Sequence, residues 1–398
     1  MSGEPVKVAL VGASGHGLWH RRQIAPLHDE GVLRLVALVD VRPVEPAPDA
    51  PVPRTTGVFT DHREMLATAR PDVVVICTPP HTHLAIAVDA LRAGCDVLLE
   101  KPPVLSLAEH DALAAALAGT GLACQVGFQA LGSAALGEFT AALVEGRVGT
   151  VTGISTVASW RRDDAYYGRS PWAGRRTVNG RPSLDGAIAN PLAHALMHAL
   201  AVAATLDAGD AAAPRLVELE RYRTRSTIDV DDTASLRLTL PSGRPVVMAV
   251  TLCGEDFIPG EVIVQGTAGR AVLEYPTDRL LLPGDTGLRE VPGRASLLGN
   301  LLDHRADRSV PLIAPLSRTL PFTVVLEAVG AAPDPVLLDR RWYEQVGAPP
   351  ARMHVIGGVN ATLRAAADRM ALLSELSTVP WAVPPHVVAP GAGRVAHA

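Results

Sequence analysis

The sequence predicts an α/β protein, in which an amino-terminal doubly wound parallel sheet over residues 1–127 precedes an α+β domain over 128–398 with a largely antiparallel, open-faced sheet. Three observations support this. From Val6 to about Gly127, short apolar runs alternate with helical patterns, as in strands buried on both faces with helices between them. A glycine-rich turn joins the first run to the first helix. Beyond about Ala130 strands follow one another through short turns such as Pro241-Ser242-Gly243, which suits antiparallel pairing.

Val6–Val11, Leu33–Val39, Val73–Cys77, Val97–Leu99 and Leu122–Val126 are the strands expected in the first domain. Thr82 is placed to cap a helix over Leu84–Ala93 with Gly94 behind it, and Ser106 with Glu109 forms a capping-box pattern. The second domain should hold a helix over Ala134–Glu145, a strand over Val148–Ser159 and a helix over Pro191–Leu206. Strands over Leu216–Tyr222, Ala234–Leu240, Val246–Leu252, Glu261–Gln265 and Ala271–Tyr275 follow. A helix is expected over Gly358–Leu376. The pattern from 284 to 350 is hard to read, and the tail after Pro380 looks irregular.

A net charge of -5 gives no electrostatic footprint for nucleic acid or an anionic membrane, so a small neutral or anionic ligand fits better. The most apolar helical stretch is interrupted by His194 and His198 and is too short to span a bilayer. The start shows neither a basic leader nor an apolar targeting segment, so the expectation is a soluble cytoplasmic protein. Cys77, Cys95, Cys124 and Cys253 lie far apart, and neither a disulfide framework nor a metal site is expected.

Gly12-Ala13-Ser14-Gly15-His16-Gly17 ends the first strand and opens a helix, where backbone amides and the helix dipole can hold a pyrophosphate. Ser14 stands where a dinucleotide fingerprint has its second glycine. Asp40 ends the second strand 28 residues after Gly12, where a carboxylate can accept from the adenine ribose. This is a Rossmann signature. Asp40 favours NAD because it repels a 2′-phosphate, while Arg42 keeps NADP open.

Only two of the 36 basic side chains are lysines, Lys7 and Lys101. Lys101 lies in Glu100-Lys101-Pro102 at the end of an apolar strand. A lysine walled by cofactor and apolar residues there should have a lowered pKa and could act as acid or base near neutrality. Pro102 and Pro103 stiffen the segment that presents it.

Together with Cys77-Thr78-Pro79-Pro80-His81-Thr82-His83 and Ala90-Leu91-Arg92-Ala93-Gly94, these motifs resemble the glucose-fructose oxidoreductase and inositol dehydrogenase family, Gfo/Idh/MocA. His20 behind the glycine loop fits as well. The second domain is similar through Gly127-Phe128-Gln129, Glu145-Gly146-Arg147-Val148-Gly149 and residues 160–174. The resemblance implies a nicotinamide across the carboxyl edge of the first sheet, with Thr78, Pro79, His83, Glu100 and Gln129 joining the loop residues in cofactor binding. It makes Lys101 the proton-handling residue beside a substrate hydroxyl or carbonyl. It also implies a homodimer or homotetramer formed by pairing of open sheet faces.

Family members commonly carry Asp-x-x-x-His at a helix start, whereas this chain has Asn190-Pro191-Leu192-Ala193-His194. The i, i+4 spacing puts Asn190 and His194 on one face, so both could reach a substrate. Equally, Asn190 before Pro191 reads as a helix cap. Asp185 could compensate for the missing acid or simply start a turn. Arg162, Tyr166, Tyr167 and Trp172 would make a polar aromatic wall for sugar hydroxyls, or else a surface loop or subunit contact. The expected function is NAD(P)-dependent hydride transfer to or from a secondary alcohol or ketone of a sugar, cyclitol or related polyol. Alternatives are a redox-neutral epimerase or glycoside-cleaving enzyme with bound NAD, and a cofactor-binding regulatory or scaffold protein without chemistry.

Overall fold

The computed structural model describes residues 4–207 and 213–390. The chain divides into two compact units, one taking the chain up to Gln129 together with Ser296–Ser317, the other taking Ala130–Ala295 and the chain from Arg318.

The first unit is built on a six-stranded parallel sheet of β1 (Val6–Val11), β2 (Leu33–Val39), β3 (Gly57–Phe59), β4 (Val73–Ile76), β5 (Asp96–Leu99) and β6 (Cys124–Val126). Their spatial order is β3-β2-β1-β4-β5-β6, a doubly wound order whose switch point lies between β1 and β4. β4 and β5 are buried along their whole length, which is why both read as unbroken apolar runs. α1 (Gly17–Asp29), α2 (His62–Ala69), α3 (His83–Arg92) and α4 (Leu107–Leu117) connect the strands. Ser106 caps α4, its hydroxyl accepting from the Glu109 amide, while the Glu109 carboxylate accepts from Leu105. Thr82 does not cap α3. Its hydroxyl donates to the Pro79 carbonyl and meets that of Thr78, because the tight turn holds those groups closer than the helix amides.

Residues 296–317 lie with this first unit, far in sequence from 1–127. Asp96, fully buried at the start of β5, shows what holds them: it takes ion pairs from Arg305 at 2.6 Å and Arg308 at 3.4 Å. The Gln125 amide likewise donates to Leu297 O and accepts from Ala314 N. A buried carboxylate is costly unless paired in this way.

The second unit opens with α5 (Ala134–Val144) and β7 (Val151–Arg161), then a short α6 (Asp164–Gly168), the small ribbon β8 (Thr177–Val178) and β9 (Arg181–Pro182), and α7 (Ala193–Leu206). The large sheet adds β10 (Leu216–Arg223), β11 (Thr233–Thr239), β12 (Pro245–Thr251), β13 (Cys253–Gly266), β14 (Gly269–Glu274), β15 (Arg279–Leu281), β16 (Arg289–Glu290) and β17 (Val336–Leu337). Its order is β16-β15-β14-β13-β7-β12-β11-β10-β17, antiparallel except where β7 meets β12 and β10 meets β17.

Both faces of this sheet are occupied. α7 packs over β7, β12 and β13, and so does the helix Val359–Arg369. Side chains alternate across a strand. Gly153, Val157 and Ser159 of β7 face the later helix, where Met370 crowds Gly153 and Ser159 donates to Asn360. Val157, Ala249 and Ile263 form one apolar cluster with Val359, Leu363, Ala366 and Ala367. The face expected to be open is thus covered by the chain itself. Strand His386–Val388 pairs with β10, giving part of the expected irregular tail a regular place. The end of that tail, 391–398, and the first three residues lie outside the described residues. Among the described residues no helix is long and apolar enough to cross a membrane.

Candidate functional site

The carboxyl edge of the first sheet carries the glycine loop. Gly12 has φ +87° and approaches Cys77 so closely that a Cβ would lie 2.1 Å from its carbonyl oxygen. A Cβ on Gly17 would lie 1.8 Å from Gly12 O, so α1 can start tight against β1 only with glycine there. The helix start has no side-chain cap and no acidic residue in its first turn. Its field therefore favours an anion, and a pyrophosphate fits this cradle. Asp40 is positioned beside it: one carboxylate oxygen accepts from Ser14 N at 2.9 Å and the other from Arg42 N at 3.0 Å. Ser14, the departure from the glycine fingerprint, uses its backbone amide to hold Asp40. The Arg42 side chain is exposed, 3.9 Å from Asp40.

Glu100 ends β5 as a buried carboxylate. His20 Nε2 lies 2.9 Å from its Oε1, His16 Nε2 lies 3.6 Å from the same oxygen, and its Oε2 accepts from the Lys101 amide at 3.0 Å. Burial works against its charge, yet the hydrogen bonds and charges of His16 and His20 hold it well below the usual carboxylate range. Gly127 makes room for it, since a Cβ there would come within 3.0 Å. His83 is buried under the same edge, its Nε2 facing Thr78 O at 2.8 Å and its Nδ1 facing Pro102 O at 2.9 Å. Burial lowers its pKa against the pull of those carbonyls. Expected as a cofactor contact, His83 directs each ring nitrogen at a backbone carbonyl. It ties the Thr78-Pro79 turn to the segment that carries Lys101. Cys77 nearby is held protonated, its thiol pushed far up by burial and by Glu100. Gln129 opens a short 3₁₀ turn at the end of this unit.

In the second unit Asn190 is not a helix cap: α7 begins later, with Leu192 in the capping position. The Asn190 amide donates to Asp185 Oδ1 at 2.5 Å. Asp185 is buried, accepts from Gly174 N and pairs with Arg169, both at 2.8 Å. Burial raises its pKa, opposed by Arg169. Tyr166 lies between two guanidiniums, Arg162 at 4.9 Å and Arg169 at 3.8 Å from its ring. Arg162 also covers Trp160 and Arg169 covers Trp172, while Arg225 lies over Tyr167. Burial first and Asp185 second push the Tyr166 hydroxyl up to about 12. His194 lies one turn before His198, and both rings stack towards Tyr275, at 6.4 and 4.7 Å. His198 is fully buried, with Nδ1 on His194 O, and burial lowers its pKa to about 4.

Each unit thus brings together its own share of the expected residues. Asp185 and Arg169 carry much of the second cluster. A buried acid paired with Asn190 had only one sequence signal, its place five residues upstream. His198 and Tyr275 gave none beyond an i, i+4 histidine spacing.

The strand order, the glycine cradle and Asp40 define the first unit as a dinucleotide-binding domain. Residues 6–128 match the family described as oxidoreductase family, NAD-binding Rossmann fold. The amino-terminal domain belongs to this Gfo/Idh/MocA family. The chain is 34% identical over 107 residues to the D-glucoside 3-dehydrogenase of Escherichia coli (strain K12), which covers 27% of this chain and 30% of that protein. It is 40% identical over 68 residues to the scyllo-inositol 2-dehydrogenase (NAD(+)) of Bacillus subtilis (strain 168), covering 17% and 20%. The matched part is thus less than a third of either relative. The fold is shared with the WlbA dehydrogenase from Bordetella pertussis in complex with NADH and UDP-GlcNAcA, at a TM-score of 0.64 and 20% identity, over 84% of this chain and 100% of that one.

Proposed function

We propose that the protein is an NAD-dependent oxidoreductase that transfers hydride between nicotinamide and a secondary alcohol or ketone of a sugar, cyclitol or related polyol. One observation carries this reading: the segment bearing Lys101 is fixed at the sheet edge by the ionised Glu100 on one side and by the buried His83 on the other. Such fixing suits a group that must meet one substrate oxygen. Lys101 takes the hydroxyl proton in oxidation and returns it in reduction. Gly12 to Gly17 and Asp40 hold the dinucleotide, which supplies the hydride acceptor. Arg42 is the feature through which NADP could be taken.

In this proposal His194 and Asn190 orient the reacting oxygen, and Arg162, Tyr166, Tyr167 and Trp172 face the polyol. Asn190 acts with Asp185 behind it, a carboxylate one hydrogen bond away in place of the acid usual at this position. The named relatives act on glucosides and inositols, which favours a carbohydrate-like substrate. A cytoplasmic setting agrees with four free cysteines. Assembly as a homodimer or homotetramer would need a surface other than the large sheet, whose two faces the chain covers itself. The test is a panel of sugars and cyclitols assayed for reduction of NAD by the full chain. Turnover that fails across the panel while NADH binds would overturn the net dehydrogenase reading.

A further inference from the structure

His16 and His20 stand one turn apart at the start of α1, and their Nε2 atoms converge on a single oxygen of Glu100. Buried His20 lies 2.9 Å from that oxygen, and His16 brings a second imidazole to the same atom at 3.6 Å. His16 is more than half exposed, its ring stacked on Trp19 and edge-on to His20. The three candidate donor atoms lie within 4.8 Å of one another.

We propose that His16, His20 and Glu100 form a binding site for a divalent transition cation of the zinc type at the mouth of the phosphate loop, with its fourth position open to water. Two histidines one turn apart and a carboxylate from a neighbouring element are a donor set that zinc takes with an open position. Donors about 2.0–2.1 Å from a tetrahedral metal lie roughly 3.3 Å apart, close to the 2.9 and 3.6 Å that separate the imidazoles from Glu100 Oε1. Glu100 offers a carboxylate oxygen to both histidines, and the missing side chain of Gly127 leaves it room to adjust. The exposed His16 gives the cation a way in. Cys77 does not compete, because burial keeps its thiol protonated. Sequence spacing missed the site because its third donor comes 80 residues later, at the end of another strand. The site shares the loop with the dinucleotide, so cation and cofactor exclude one another and free zinc inhibits by competition.

The experiment is a calorimetric titration of zinc into chelator-treated full-length protein without dinucleotide, repeated for His16→Gln, whose side chain is more than half exposed and whose folding is checked by circular dichroism. Glu100→Gln, checked by circular dichroism, is the second variant. Cobalt replaces zinc in a parallel titration read by visible absorption. The expected result is one micromolar site with a tetrahedral cobalt spectrum, weakened about tenfold or more in either variant. No stoichiometric uptake, or equal affinity in His16→Gln, would overturn the proposal. Because no dinucleotide is present, failure of the dehydrogenase reading leaves this result unaffected.

Discussion

Asn190 donates its side-chain amide to Asp185 at 2.5 Å, so the position where the family resemblance implies an acid holds an amide resting on a buried carboxylate. Asp185 also receives Gly174 N and Arg169, which leaves the pair a fixed unit rather than two loose groups. Replacing Asp185 by Ala strands a partly buried guanidinium and frees the Asn190 amide. The expected cost is about 3 kcal/mol in urea unfolding, with turnover reduced as well. A cost under roughly 1 kcal/mol would show that Asp185 has no such central place.

Asn190→Asp sets a second carboxylate against a first whose pKa burial already raises. Two carboxylates at this distance cannot both ionise, so one stays protonated near neutrality. The variant should be less stable than the parent at about pH 7 and recover much of the difference at about pH 5, a reversal that chemical denaturation at the two values will read.

His198 gives the opposite trend with pH. Burial lowers its folded pKa to about 4, below the ordinary 6.5 of the unfolded chain. Above pH 6.5 the ring is neutral in both states and costs nothing. As pH falls through the window from 6.5 to 4 the unfolded chain takes up a proton that the folded chain refuses, and stability falls with acidification. Between about pH 7 and about pH 5 the loss should be roughly 2 kcal/mol. His198→Leu should flatten that slope, and an unchanged slope would refute the assignment.

Gly12→Ala puts a Cβ 2.1 Å from Cys77 O at a φ of +87°. The backbone has to move, and the loop loses its close approach to a pyrophosphate. Fluorescence titration should show NADH binding weakened by at least about tenfold, with a stability loss of about 2 kcal/mol.

The fold was legible where burial was simple. β1 and β2 read to the residue, because each is apolar apart from one basic side chain near its start, Lys7 and the exposed Arg34. β3 escaped, being three half-exposed residues that begin with glycine. The helix Leu320–Ala331 was hidden by a proline in its first turn and by a β-branched Thr-Val-Val core that imitates a strand. That residues 296–317 belong with the first unit could be inferred only from Asp96, a buried acid awaiting Arg305 and Arg308. Within the site, glycines and Asp40 act locally and were readable. Asn190 was not, since Asn-Pro satisfies a helix-cap pattern while its actual partner, Asp185, is chosen by the turn before α7. The partners of His83 were not readable for a similar reason: they are backbone carbonyls of two separate loops.

The central claim is that Lys101 moves the proton on a segment held by Glu100 and His83. Lys101→Met, assayed with the best substrate of the sugar panel and titrated in parallel with NADH, tests it most directly. Turnover should fall by at least about a hundredfold while NADH affinity stays within about threefold. Near-normal turnover in this variant, with cofactor bound, would contradict the account.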